Sequence, residues 1–242
     1  MNDYLDLLEK ALTGTLYRDQ PMDPWSGGKY DEGLRRVGKD WPSAAPTMIG
    51  VARMRNLRRA CELAILKRIP GDFIETGVWR GGACIYMRGI LRAFGVSDRR
   101  VFVADSFAGL PPPSADYPDD ANDQHHLMQP LAISRAEVED NFRRYGLLDE
   151  RVVFLEGWFK DTLPSAPIDK ISVLRVDGDM YESTWQALEA LYDKVSLGGA
   201  VIIDDYCCLS RCHKATNDFR KDRKISSPML PIDGMGAWWV KN

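Results

Sequence analysis

Short apolar runs alternate with amphipathic stretches along most of the chain. Five runs have the length and composition of buried strands, at 73–76, 101–107, 152–156, 171–176 and 200–203. Apolar residues at helical spacing predict helices at 2–13, 47–69, 83–94, 134–146, 181–196 and 208–223. This alternation predicts an α/β fold with a single doubly wound, mostly parallel sheet. Two last apolar runs, 229–232 and 237–240, predict a C-terminal antiparallel hairpin.

Local signals predict where two of these helices begin or end. Ser134 and Glu137 have the spacing of a capping box, so we expect a helix to begin at this serine. Gly198 and Gly199 are expected to stop the helix 181–196, because glycine commonly ends helices.

The segment 14–46 breaks the pattern. It is rich in proline and glycine, yet it also holds Trp25, Tyr30 and Trp41, which argue against plain disorder. Loops of this length in a compact domain are usually disordered or functional, so we interpret the segment as a lid over a site in preference to a packed, non-functional wrap. The chain therefore divides into an N-terminal helix and lid segment (1–46) and a main unit (47–242), within one structural domain.

Composition narrows the class of protein. The chain has 242 residues, of which 45% are hydrophobic and 28% are charged, and a net charge of −3 gives no reason to expect a nucleic-acid partner. It has no apolar run long enough to span a membrane and no signal peptide at its N-terminus, so we expect a cytoplasmic enzyme. The five cysteines match no paired zinc-binding spacing, which favours free thiols.

Paired acids follow two of the predicted strands. Asp177 and Asp179 come after the run 171–176, and Asp204 and Asp205 close the run 200–203. Alternate residues of a strand point to the same side, so the first pair can converge on one point. Because carboxylates gathered at buried strand ends are costly without a cation, we expect the two strand ends to share a divalent metal.

The first predicted strand runs into a glycine-rich turn, Gly77 to Gly82. Such a turn lets a ligand approach the backbone, although a tight turn alone would look the same. The second strand ends at Asp105, where nucleoside-binding folds hold ribose hydroxyls. An aspartate here could also cap a helix or lie in a loop, but its combination with the glycine-rich turn favours the ribose. Gly157 and Trp158 end the third strand, where a base could stack, although this Trp is equally suited to the core. The turn lacks the pattern GxGxxG, which argues against a dehydrogenase.

The loop 108–133 holds two of the three histidines, His125 and His126. A histidine in a loop is often just solvated. Because this loop follows the second strand, at the ligand-binding edge of the predicted sheet, both histidines are also candidates for proton transfer.

Seven stretches together carry a resemblance to a known family: YLDLLEKALTGTLYRD, PTMIG, GDFIETGVWRGGACIYMR, VFVADSFAGLPPP, NFRRYGLLDERVVFLEGWFKDTLP, LRVDGDMYEST and GGAVIIDDY. On these the chain resembles the macrocin O-methyltransferase (TylF-type) family, enzymes that methylate sugar hydroxyls on macrolides and related natural products. The resemblance implies a class I, Rossmann-like methyltransferase fold, S-adenosylmethionine as methyl donor and Mg²⁺ as metal. It is weaker in 114–130 and after about Lys224, so the acceptor is its least transferable implication.

The resemblance also implies roles for individual residues. It implies that the metal ligands are Asp177, Asp204 and Asp205. It implies that the residues along the donor are Met48, Ile49, Glu75, Gly77, Asp105, Ser106, Gly157 and Trp158. Of these, Glu75 and Gly77 would lie along the methionine portion of the donor, and Asp105 and Ser106 would lie at the ribose. Gly157 and Trp158 would flank the adenine, and Met48 and Ile49 would close the donor pocket.

The chemistry of the reaction adds a further expectation. A sugar hydroxyl is a poor nucleophile at neutral pH, and a bound divalent cation lowers its pKa. An all-oxygen shell suits Mg²⁺ rather than zinc. A base must then take the proton. We rank Asp179 first, because it is expected on the same strand side as Asp177, and His125 or His126 second.

Two other functions fit parts of the pattern. A Mg²⁺-dependent methyltransferase for catechol-type phenols needs the same ligands, but the long aromatic lid suits a bulky glycoside better. A catalytically silent scaffold that binds the donor is the other alternative, against which the intact set of acids argues. We expect a small-molecule glycoside acceptor and a homo-oligomer, because lids of this kind often complete their pocket from a neighbouring subunit.

Overall fold

One seven-stranded sheet forms the centre of the molecule. The computed structural model describes residues 1–242. Its strands are β1 (Asp72–Thr76), β2 (Val101–Asp105), β3 (Val152–Glu156), β4 (Ile171–Val176), β5 (Val195–Ile203), β6 (Leu230–Pro231) and β7 (Ala237–Val240). They are ordered β3-β2-β1-β4-β5-β7-β6. β1 to β5 are parallel, whereas β7 is antiparallel to both β5 and β6. The predicted α/β fold and its C-terminal hairpin are confirmed.

Every predicted helix is present, and two short helices are added. The helices are α1 (Asn2–Leu12), α2 (Glu32–Arg36), α3 (Gly50–Leu66), α4 (Gly82–Ala93), α5 (Arg135–Arg144), α6 (Phe159–Thr162), α7 (Tyr181–Leu191) and α8 (Ser210–Asp222). Ser134 caps α5 as predicted, because its hydroxyl accepts a hydrogen bond from the backbone N–H of Glu137 at 3.3 Å. None of the helices is long and apolar enough to cross a membrane.

The predicted boundary between the helix 181–196 and the strand 200–203 is wrong. α7 ends at Leu191, and after one short 3-10 turn β5 begins at Val195. Gly198 and Gly199 therefore lie inside the strand, in a stretch where its register with β4 shifts. Gly198 has φ +82°, a left-handed conformation that glycine adopts without steric cost. A glycine-bearing irregularity in a strand thus looked like a helix stop in the sequence.

Alternate strand residues face two separate hydrophobic layers. Phe73 and Val173 pack in the layer formed with α1, α3 and α4. Ile74 and Leu174, their neighbours in sequence, pack in the layer formed with α7 and α8. Both faces of the sheet are therefore buried, because alternate residues of its parallel strands point to opposite layers. Only the two edges of the sheet and the ends of its strands stay accessible to ligands.

The N-terminal segment 14–46 is more ordered than its sequence indicates. It contains α2, whose Arg35 is fully buried. The guanidinium donates to both carboxylate oxygens of Asp40 and to the backbone carbonyls of Thr13 and Asp19, at 2.7 to 2.9 Å. A buried cation whose three guanidinium nitrogens are all hydrogen-bonded fixes the path of the segment around it. Its function as a lid, and the division at residue 46, stay predictions.

Candidate active site

A cavity of about 510 Å³ opens at the carboxyl ends of the parallel strands. The turns that follow β1 to β5 each contribute to its wall, through Gly77, Ser106, Gly157, Asp177 and Asp205. The chain runs outward from β1 to β3 on one side and continues with β4 on the other. The cavity therefore lies at the point where the strand order reverses, which is the usual ligand site of an open α/β sheet.

The glycine-rich turn after β1 forms one wall of this cavity, and Asp105 fastens it. The carboxylate of Asp105 accepts hydrogen bonds from the backbone N–H groups of Val78 at 2.7 Å and Phe107 at 2.8 Å. Burial raises the pKa of Asp105 above its ordinary value, and these backbone donors oppose the rise. All eight residues that the resemblance assigns to the binding of the methyl donor line the cavity. Their contact with a donor stays a prediction.

Three carboxylates meet on the other side of the cavity. Oxygens of Asp177, Asp179 and Asp205 lie within 4.8 Å of one another. β4 ends at Val176, and Asp179 sits in the following turn with φ +59°, so the turn brings the first pair together. We expected Asp177 and Asp179 to converge because alternate residues of a strand point to the same side. That reason is wrong, because both aspartates lie after the end of β4.

The electrostatics of this acid cluster favour a cation. Burial, followed by the charge of Asp204, raises the pKa of Asp177 well above its ordinary value. Burial and the charge of Asp179 do the same for the pKa of Asp205, and burial and the charge of Asp177 raise the pKa of Asp179 to about 7. Oδ2 of Asp205 is buried without a hydrogen-bond partner. Like charges gathered in this way are relieved by protons or by a bound cation.

Asp204 lies beside the cluster and faces two arginines. One of its oxygens is ion-paired with Arg175 and the other with Arg53, and all three side chains are buried. A carboxylate oxygen has two acceptor positions, so each oxygen keeps one for a further partner. The structure thus brings Asp177 and Asp205 together as the sequence predicted, and places Asp204 next to them with its orientation set by arginine.

The two buried arginines were missed by sequence reasoning. Arg175 lies within β4, level with Glu75 of β1, and is ion-paired with Glu75, Asp177 and Asp204. It therefore joins Glu75 in the cavity wall to Asp177 of the acid cluster. A charged residue inside an otherwise apolar strand is a signal that could have indicated such a buried network.

Arg53 links three parts of the chain at the same place. Besides Asp204, it contacts Asp233 of the C-terminal hairpin at 3.2 Å. Its Nη2 also donates to the carbonyls of Val37 and Gly38, at 3.4 Å each. Arg53 therefore attaches the N-terminal segment to Asp204, beside the acid cluster.

The structure separates the two candidate histidines. His125 lines the cavity, and its Nδ1 lies 2.8 Å from Oδ2 of Asp123. His126 is absent from the cavity wall, and its Nδ1 is buried without a partner. Only His125 is placed to meet a ligand in this cavity.

The cysteines are free, as predicted, and one reaches the site. Cys208 lines the cavity and its thiol donates to Oδ1 of Asp205 at 3.3 Å. Burial, followed by the charge of Asp205, raises the pKa of this thiol, so it stays protonated and serves as a weak hydrogen-bond donor.

A parallel sheet with a glycine-rich first turn, a cavity at the strand reversal and a final antiparallel strand defines a class I S-adenosylmethionine-dependent methyltransferase fold. The sequence profile of the macrocin O-methyltransferase (TylF) family matches residues 1–241. The chain belongs to this family and is an O-methyltransferase.

Relatives cover nearly the whole chain. Demethyldecarbamoylnovobiocin O-methyltransferase of Streptomyces niveus is 52% identical, over 98% of this chain and 93% of the relative. 8-demethyl-8-(2,3-dimethoxy-alpha-L-rhamnosyl)-tetracenomycin-C 4'-O-methyltransferase of Streptomyces olivaceus is 49% identical, over 98% of this chain and 91% of the relative. The solved structure of the O-methyltransferase NovP is 50% identical, covers 100% of this chain and 99% of its own, and superposes with a TM-score of 0.95.

Replacing Gly77 with alanine is expected to destroy donor binding. Gly77 has φ +83°, and a methyl group there would overlap the carbonyl oxygen of Asp177. The matched control is Gly95→Ala, because Gly95 has φ +66° but faces open space. The control is expected to cost about 1 kcal/mol of unfolding free energy through backbone strain alone. Thermal unfolding and calorimetric titration with S-adenosylhomocysteine measure both effects. Equal donor affinity in the two variants would contradict the close approach of turn and acid cluster.

Proposed function

We propose that the enzyme transfers the methyl group of S-adenosylmethionine to a sugar hydroxyl of a glycosylated natural product, with the assistance of Mg²⁺. The observation that carries the proposal is the acid cluster of Asp177, Asp179 and Asp205 in the same cavity as the glycine-rich turn. The sugar acceptor is supported by the relative that is named for a rhamnosyl-tetracenomycin substrate.

The residues of the acid cluster fit a magnesium ion. Six carboxylates and only two buried guanidinium groups lie at and around this cluster, so negative charge is in excess; the carboxylates are Glu75, Asp177, Asp179, Asp204, Asp205 and Asp233. The unpartnered Oδ2 of Asp205 and the purely oxygen donor set suit Mg²⁺. Asp177, Asp204 and Asp205 are the proposed ligands. When bound, the cation would lower the pKa of the acceptor hydroxyl and fix its direction.

The chain's own groups then position the reactants and take the proton. Gly77 and Asp105 shape the side of the cavity proposed for the methyl donor, where the absence of a side chain on the glycine lets the carbonyl of Asp177 pack closely against its Cα. Asp179 lies within 4.8 Å of two proposed ligands and is the proposed base. Holding the two substrates in line in one cavity supplies on the order of 7 kcal/mol of the rate acceleration.

The N-terminal segment is proposed to close over the acceptor. Gly38 and Trp41 line the cavity, and Arg53 connects the backbone at Val37 and Gly38 to Asp204, beside the acid cluster. Assembly into a homo-oligomer stays a prediction, which light scattering in solution tests directly.

Transfer of a labelled methyl group to glycosylated natural products tests the proposal. The panel pairs each glycoside with its aglycone and adds catechols, each with Mg²⁺ or with excess EDTA. We expect transfer to glycosides only, and loss of it in EDTA. Undiminished transfer in EDTA would refute the metal. Transfer to catechols alone would support a phenol methyltransferase, and donor binding without any transfer would support the scaffold.

A further inference from the structure

The loop that follows β2 is fixed to the active site by a buried acid. Asp120 is fully buried, and its carboxylate accepts hydrogen bonds from the backbone N–H groups of Tyr181 at 2.7 Å and Glu182 at 2.8 Å. These are the first residues of α7, whose own N-cap residue supplies no side-chain hydrogen bond. Since α7 begins directly after the turn that bears Asp179, the loop has a defined position relative to the acid cluster.

Asp123, three residues further on, holds His125. It is 4% exposed, and its Oδ1 accepts a hydrogen bond from the backbone N–H of His125 at 2.8 Å. Its Oδ2 and Oδ1 lie 2.8 and 3.1 Å from Nδ1 of the same histidine. The carboxylate thus contacts both the backbone and the ring of His125, which limits the orientations open to the imidazole.

Arg211 of α8 holds Asp123 from the other side. Its Nη1 lies 3.3 Å from Oδ2 of Asp123, while Nε and Nη2 donate to the carbonyls of Asp119 and Ala121 at 3.3 Å each. The guanidinium balances the charge of the buried carboxylate and fixes the loop at three points. The position of the Asp123 carboxylate is therefore fixed by Arg211 on one side and by His125 on the other.

These contacts determine which ring nitrogen carries the hydrogen. A carboxylate only accepts hydrogen bonds, so Nδ1 of His125 must donate, and the neutral ring then has an acceptor at Nε2. Nε2 makes no hydrogen bond within the protein, and His125 lines the cavity with Asp179 and Gln186. A free hydrogen-bond acceptor on a residue of the cavity wall suits a ligand that brings a hydroxyl group.

We propose that Asp123 is a positioning residue that holds His125 in its Nδ1–H tautomer. Nε2 of His125 then accepts a hydrogen bond from a hydroxyl of the sugar substrate other than the one that is methylated. The inference rests on the proposed function and narrows its substrate class to sugars that carry such an additional free hydroxyl. Arg211 supports the same arrangement through Asp123.

Kinetics of two single variants and their combination test the proposal. The amide of Asp123→Asn can donate to Nδ1 and so turn Nε2 into a donor, and His125→Ala removes the ring. Each is expected to raise the acceptor KM about tenfold, the value of one lost hydrogen bond, with kcat and the donor KM close to wild type. The double variant is expected to match His125→Ala, because Asp123 acts through the histidine.

The matched control is Asp119→Asn, in the same loop. Asp119 is exposed, and its carboxylate contacts only Lys214, at 3.1 Å. It is expected to leave the acceptor KM unchanged. Additive effects of the first two substitutions would indicate that Asp123 merely stabilises the loop, and a fall in kcat rather than a rise in acceptor KM would make His125 a base. Either result overturns the proposal.

Imidazole nitrogen chemical shifts give a readout that needs no acceptor. The chain has three histidines, and His125→Ala identifies the signal of the one in question. We expect the Nδ1–H tautomer in the wild-type protein and the opposite tautomer in Asp123→Asn. An Nε2–H tautomer or a charged ring in the wild type at neutral pH would refute the positioning, even in an enzyme that methylates glycosides. The expected tautomer without methylation of any glycoside would refute the proposed function instead.

Discussion

Replacing Asp177 with asparagine is expected to lower the rate of methyl transfer by more than about 10³-fold, because the substitution removes a charged ligand from the proposed metal site. Asparagine keeps the size of the side chain and can still accept the hydrogen bond that Arg175 donates at 2.8 Å. The fold and the donor site are therefore expected to persist. Single-turnover transfer of a labelled methyl group, measured across a range of Mg²⁺ concentrations, gives the loss directly.

Two further variants locate the cause of that loss. Asp169→Asn is the control, because Asp169 is exposed on the surface and is expected to leave the rate unchanged. Asp204→Asn is expected to lower both the rate and the unfolding temperature, because Asp204 also pairs with two buried arginines. Asp177→Asn with normal thermal unfolding, normal donor affinity and near wild-type transfer would remove Asp177 from the metal site.

The sheet could be predicted from the sequence because its evidence is local. Buried parallel strands appear as apolar runs such as 101–105 and 171–176, and the helices between them carry their own periodicity. The end of α7 could not be predicted, because Gly198 has the same appearance in a helix stop and in an irregular strand. Only the pairing of β5 with β4 distinguishes the two, and that pairing joins residues distant in the chain.

The candidate site was only partly predictable. Acids at strand ends are visible in a sequence, and the ends of parallel strands meet at one edge of a sheet, so Asp177 and Asp205 could be brought together in advance. The partners of Arg175 could not, because Glu75 lies 100 residues away along the chain. The two histidines are neighbours in sequence, and only the packing of the loop shows that His125 faces the cavity.

The base can be identified by replacing Asp179. Asp179→Asn is expected to lower kcat by about 10²- to 10⁴-fold, the usual cost of losing a general base. The choice of asparagine matters, because residue 179 has φ +59° and asparagine tolerates this conformation as readily as aspartate. Alanine would strain the turn and confuse the result. Pre-steady-state transfer at saturating donor, acceptor and Mg²⁺ measures the chemical step.

His125→Ala provides the comparison, since His125 is the other group in the cavity wall that could accept the proton. If Asp179 is the base, its replacement lowers kcat at every Mg²⁺ concentration, whereas the histidine variant changes mainly the acceptor KM. If the rate of Asp179→Asn recovers at high Mg²⁺, the carboxylate is a metal ligand, which its position within 4.8 Å of Asp177 and Asp205 also allows geometrically. If Asp179→Asn keeps its kcat and His125→Ala loses it, His125 is the base that takes the proton. The turn after β4 then contributes only to metal binding.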